Sequence, residues 1–176
     1  MTKTLIVYHS RTGYTRRIAR QLADRLGADL DEIRIVQPMD GVLGYAACAI
    51  EAMAGLAPAL RPMRHRPANY DLVIVGTPVW FWSLSSPVRS WLESFGSRGK
   101  RFAFFCTMGG AGASRAFEAM TELTGREPLA TLALTDREVD AASRAKFDAF
   151  VRELRWGSPR RGHARARSTH AAAHAA

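Results

Sequence analysis

The sequence predicts an α/β domain: a doubly wound, five-stranded parallel sheet in the order 2-1-3-4-5, with helices on both faces. Three observations predict it. Apolar runs of strand length alternate with stretches of helical periodicity as β-α-β-α-β-α-β-α-β, and such alternation demands crossovers and a parallel sheet. The runs at 70–76 and 102–106 are apolar without a polar alternate, the pattern of strands covered on both faces. Loops of unusual composition follow the first, third and fourth runs, so all three fall on the rim formed by the strands' carboxyl ends, at the topological switch point.

Residues 5–8 open the chain as an apolar strand. A helix follows over 15–26, because Ile18, Ala19, Leu22, Ala23 and Leu26 recur at spacings of 3 and 4. The second strand is expected over 28–36, with Leu30, Ile33 and Ile35 apolar and Asp29, Asp31 and Glu32 giving it the polar character of an edge. A helix is expected over 41–55, from Val42, Leu43, Ala46, Ala49, Ile50 and Met53. Residues 57–67 carry three prolines and three arginines and read as an irregular, solvated connection, with His65 a bystander. The strand at 70–76 is expected to stop at Thr77-Pro78. A helix starts at Pro87 and runs to Phe95, with Val88, Trp91, Leu92 and Phe95 on one face. Then come a buried strand over 100–107, a helix over 113–123 stopped by Gly125, a last strand over 129–134 and a last helix over 140–156.

A chain of 176 residues, 47% of them apolar, suits one globular domain, expected over 1–156. From Gly157 the composition shifts to Arg, Ala, His and Ser. The segment 157–176 is expected to be a disordered basic tail. Its four arginines account for part of the formal charge of +9, and without them the body still carries +5. A basic chain can favour nucleic acid or acidic partners. No aromatic-interleaved basic run or recognition-helix pattern is present, so nucleic acid is not the expected partner. Neither a signal-peptide core nor an 18-residue apolar run occurs, and the expectation is a cytoplasmic protein without a membrane span. Cys48 and Cys106 are far apart and form no C-x-x-C pair, so both are expected as buried thiols. No metal-ligand cluster and no Ser-His-Asp or Cys-His arrangement is assigned.

The chemistry lies in the three loops. Ser10, Arg11, Thr12, Gly13, Tyr14 and Thr15 pass from strand to helix. The first amides of a helix lack intrahelical partners. Together with the hydroxyls of Ser10, Thr12 and Thr15 they can converge on an anion. Each hydrogen bond to a charged group contributes roughly 1.5–3 kcal/mol. An ordinary strand-to-helix turn with a Ser/Thr cap is the other reading of this stretch alone. No G-x-x-x-x-G-K-[ST] occurs, so a transferred phosphate is not expected. The second loop, Thr77, Pro78, Val79, Trp80, Phe81 and Trp82, holds three successive aromatics. They form either a stacking wall for a flat heterocycle or packing beneath the next helix. The third, Thr107, Met108, Gly109, Gly110, Ala111 and Gly112, is small and rich in accessible backbone.

The pattern Ser10-x-Thr12-Gly13-x-Thr15 after a first strand, with these two further loops, resembles the flavodoxin family over residues 3–155. The resemblance implies that Ser10, Arg11, Thr12, Gly13, Tyr14 and Thr15 bind the phosphate of FMN. It implies also that Thr77, Pro78, Val79, Trp80, Phe81 and Trp82, with Thr107, Met108, Gly109, Gly110 and Gly112, border the isoalloxazine. The expected function is electron transfer through bound FMN, with an FMN-dependent NAD(P)H or quinone oxidoreductase as the alternative. The partner would be a redox protein or a small quinone or nicotinamide. The sequence departs from the family in its basic body and in a third loop without an aromatic, which leaves one flavin face open.

Overall fold

The computed structural model describes residues 2–36, 59–141 and 144–156. Five strands, β1 (Thr4–Tyr8), β2 (Asp29–Glu32), β3 (Leu72–Trp80), β5 (Phe102–Met108) and β6 (Thr131–Thr135), form a parallel sheet in the spatial order β2-β1-β3-β5-β6. A two-residue strand, β4 (Ser83–Leu84), adds antiparallel to the end of β3. Counting only the parallel strands, this is the predicted order 2-1-3-4-5. The described helices are α1 (Tyr14–Leu26), α2 (Ser86–Phe95), α3 (Ala113–Thr124), α4 (Asp136–Asp140) and α5 (Arg144–Trp156).

The pleat of β1 shows why the apolar runs are continuous. Ile6 and Tyr8 enter one core with Leu22 of α1, Ile74, Phe105, Leu132 and Phe150 of α5. Leu5 and Val7 enter the other with Val73, Val75, Phe104, Trp91 of α2 and Met120 of α3. Successive residues of a strand point to opposite faces, so a strand with helices above and below needs apolar residues at every position. Burying each of these large side chains contributes about 1.5–3 kcal/mol. Two cores thus clamp the sheet and hold the carboxyl ends of β1, β3 and β5 side by side.

Three elements differ from expectation. β2 stops at Glu32, and Ile35 instead bridges antiparallel to Leu60. Asp31, expected on the polar outside, is buried and accepts the backbone amides of Arg64 and His65 at 2.8 and 2.9 Å. β3 does not end at Thr77-Pro78 but runs on to Trp80. The even residues of β3 face β1 with their backbone groups, as the bond from Leu72 N to Lys3 O shows, while Val73 N bonds Arg101 O of the β5 side. Pro78 therefore has its missing N–H on the β1 side. β1 pairing ends at Gly76, so no ladder bond is lost there. The predicted last helix is preceded by a separate one, α4, which starts at a capping box: Thr135 Oγ1 accepts from Glu138 N, and Glu138 Oε2 accepts from Thr135 N. The expected helix over 41–55, Cys48 and the tail over 157–176 lie outside the described residues.

Candidate functional site

The first loop turns from β1 into α1 through residues 9–13. Gly13 precedes the helix at φ 99° and ψ −17°, with no side-chain cap. A Cβ there would touch no atom within 4 Å, so what the position requires is the left-handed backbone itself. No acidic residue stands in the first turn of α1. Ser10 is buried, and its Oγ accepts from Arg16 N at 3.2 Å, which folds the loop back over the helix start. Thr15 is buried too, and Thr12 and Arg11 are exposed at the rim. Tyr14 is half-buried and its hydroxyl donates to Asp140 Oδ2 of α4 at 3.3 Å, so its side chain leans away from the loop.

In the second loop β3 and β4 form a hairpin in which Trp80 pairs with Ser83. Phe81 and Trp82 make the turn with φ 48° and 59°. Two positive φ values in a two-residue connection are those of a type I′ turn, a place normally given to Asn and Gly. Both rings are held out into solvent, 62% and 61% exposed. Thr77 is fully buried at the hairpin base, where its Oγ1 accepts from Ser85 N at 3.0 Å and donates to Pro78 O at 2.9 Å. Its hydroxyl serves the hairpin, not the rim.

In the third loop Thr107 is buried, Met108 half-buried, and Gly109, Gly110 and Ala111 are exposed. Gly112 opens α3 at φ 109°. A Cβ on Gly112 would lie 2.7 Å from Val79 Cγ1 and 2.8 Å from Trp82 Cα, so a side chain would push the hairpin off the loop.

Each pair of loops is joined by a contact. Thr15 Oγ1 and Thr107 Oγ1 share a hydrogen bond of 2.8 Å, linking the first to the third. The His9 and Trp80 rings meet edge to face with centroids 5.6 Å apart, linking the first to the second. Gly112 against Val79 and Trp82 links the second to the third. The structure thus brings the three sequence-predicted loops together, with Thr77 turned into the hairpin base and Tyr14 toward α4. His9 is fixed twice over: because a carbonyl can only accept, its Nδ1–H donates to Ile33 O at 3.0 Å. Burial holds its pKa below the ordinary 6.5, more than the Ile33 bond and Glu32 raise it. A neutral imidazole here packs the loop and adds no charge to an anion site.

One group escaped the sequence reading. Glu32, at the end of β2, accepts from Arg16 Nη2 at 2.7 Å and from Arg34 Nη2 at 2.8 Å. Burial alone raises its carboxyl pKa, but the two guanidinium partners outweigh it and leave the group below the usual range. Glu32 thereby holds the Arg16 side chain toward β2, beside the first loop. Arg16 on α1 and Glu32 at the end of β2 are 16 residues apart, and such a pair leaves no linear signal. Cys106, by contrast, behaves as expected: it is buried, and burial pushes its thiol up to about 12.

The comparisons with known proteins agree with this fold. A family profile described as Flavodoxin matches residues 3–133. An NAD(P)H dehydrogenase (quinone) of Cupriavidus metallidurans is 28% identical over 120 residues, covering 66% of this chain and 58% of that protein. One of the same name from a Bradyrhizobium strain is 30% identical over 120 residues, with the same coverage of each chain. The chain thus spans somewhat more than half the length of these curated relatives. Among solved structures, a flavoprotein of Lactobacillus acidophilus in complex with FMN superposes with a TM-score of 0.65 at 25% identity, covering 81% of this chain and 99% of that one. With the profile spanning residues 3–133, most of the sheet, and the strand order that of the same fold, the chain belongs to the flavodoxin family.

Proposed function

We propose that this chain is an FMN-binding redox protein that passes electrons through flavin held on the rim of its sheet. The observation that carries the reading is the anion cradle before α1. It combines a left-handed Gly13, a helix start without an acid, and the hydroxyls of Ser10 and Thr15 beside it. The chemistry of this set fits a phosphate: hydroxyls and amides donate, and Gly13 keeps Cβ atoms out of the way. In this reading Thr12 and the amides of Arg11, Gly13 and Tyr14 complete the cradle. Val79 and Trp80, with Phe81 and Trp82 at the hairpin tip, border one side of the ring. Thr107, Met108, Gly109, Gly110 and Gly112 offer backbone donors and acceptors to its polar edge.

Bound FMN would supply the electron transfer, and the chain's own work is to bind, orient and shield it. The ties from Thr15 to Thr107 and from His9 to Trp80 keep the two ends of that site in register. Purified protein is expected to be yellow and to release a flavin carrying one phosphate. A colourless preparation that takes up no FMN on refolding contradicts the reading.

A second reading, an NAD(P)H or quinone reductase on the same site, draws on the relatives that carry that name. The exposed third loop, with no aromatic to cover it, leaves room for a small substrate against the ring. Anaerobic mixing of flavin-loaded protein with NADPH separates the two. Bleaching of the flavin within seconds supports the reductase, and a stable yellow colour supports the carrier.

A further inference from the structure

Beside the hairpin tip lies an open concavity of about 560 Å³, lined by Trp82, Gly112, Ser114 and Arg115. Its volume falls within the range of small-molecule sites. Its floor is the junction of the second and third loops, where Gly112 abuts Trp82. One wall is the Trp82 indole, which the left-handed turn keeps away from the core. The other is Arg115, exposed on the first turn of α3, which makes no hydrogen bond or ion pair among the described residues. No carboxylate stands in that turn, and Glu118, its neighbour one turn on, forms no ion pair with it among the described residues. A π-face and a guanidinium without a partner among the described residues, separated by a glycine and a serine, offer stacking and a planar set of donors to one ligand.

We propose that Trp82 and Arg115 form a subsite for a flat aromatic ring bearing an anionic group, the small molecule that exchanges electrons at this rim. The subsite rests on the reading of the adjoining loops as a flavin cradle. The ring lies against Trp82, and its sulfonate or carboxylate meets Arg115, with the Ser114 hydroxyl as a second donor. Because Arg115 is exposed, the preference for the anion is screened by salt.

The test is calorimetric titration of FMN-loaded, oxidised protein with 1,4-naphthoquinone-2-sulfonate and with neutral 1,4-naphthoquinone. No electrons move between two oxidised partners, so binding alone is read. The sulfonate is expected to bind about tenfold more tightly at low salt, with the gap closing at 0.5 M salt. Arg115→Gln is expected to abolish the gap while flavin content and circular dichroism stay as in the parent. Arg115→Lys keeps part of the gap. Trp82→Asn, which retains a residue suited to the turn, is titrated at saturating FMN with its flavin content measured, and is expected to weaken both quinones together. Equal affinity for the two quinones in the parent, or an unchanged gap in Arg115→Gln, overturns the subsite. A chain that takes no FMN overturns the functional reading instead, so the two failures are distinguishable.

Discussion

At the scale of single residues the candidate site is built from groups whose usual partners have been taken away or redirected. Gly13 replaces a side-chain cap with a backbone bend, and no acid follows it in the helix's first turn. Substituting Ala at Gly13 meets no steric neighbour, so its cost is conformational, about 1–2 kcal/mol of stability. Replacing Thr12 and Thr15 together by Ala is expected to weaken FMN binding at least tenfold, since each hydroxyl bond to a phosphate contributes roughly 1.5–3 kcal/mol. An unchanged dissociation constant would remove both from the cradle. His9 offers a check of another kind. Burial lowers its pKa, so its imidazole should titrate below 6.5 by NMR, and its protonation below that pH should destabilise the fold. A midpoint above 6.5 contradicts the neutral, packing role. The turn itself was legible in the sequence, because glycine and hydroxyls between a strand and a helix serve either as an ordinary cap or as an anion site, and both place a helix start here. Which hydroxyls face the rim was not. Thr77 reads like Thr15, but Ser85 N, eight residues on, claims its oxygen.

At the scale of elements, the turn at Phe81 and Trp82 is the least economical piece of the chain. Two large residues in the left-handed region cost on the order of 1–3 kcal/mol each. The double substitution Phe81→Asn with Trp82→Gly should raise stability by at least about 1 kcal/mol in urea denaturation, while flavin affinity falls. A loss of stability would mean that the rings pack where the structure leaves them exposed. This hairpin was not legible in the sequence, because Phe-Trp is no turn dipeptide and Pro78 reads as a stop. Extension past Pro78 depends on where β1 ends, a tertiary fact. The start of α4, by contrast, is written in the chain as Thr135-x-x-Glu138, a capping box ahead of the apolar periodicity of α5. Glu138 carries a linked prediction. Lys146, with the amide and hydroxyl of Thr135, holds its pKa at about 2. A depressed carboxyl stabilises the fold above its unfolded pKa and loses that contribution as pH falls toward 2. Glu138→Gln should therefore flatten the decline of the melting temperature between pH 4.5 and 2, and an unchanged slope would contradict the pairing.

At the scale of the whole molecule, strand order was the most legible feature. Continuous apolar runs and crossover helices permit few arrangements, and the two cores on opposite faces of the sheet take up the alternating side chains of its central strands. What the fold adds to the sequence is convergence: three loops distant in the chain meet pairwise through Thr15 with Thr107, His9 with Trp80, and Gly112 with Trp82. The net charge of the chain is +9. A basic surface stabilises a reduced, more negative flavin, at about 0.8 kcal/mol for a charge roughly 10 Å away in an effective dielectric near 40. The potential is therefore expected to fall as salt screens the surface, and potentiometry at low and high ionic strength reads the shift. The proposed anion cradle and aromatic wall make one demand above the others, that the phosphate matter as much as the ring. Titration of flavin-free protein with riboflavin 5′-phosphate and with riboflavin tests it most directly. The account predicts micromolar or tighter binding of the phosphate ester and at least tenfold weaker binding of riboflavin. Equal affinity for the two, or no binding of either, would contradict it.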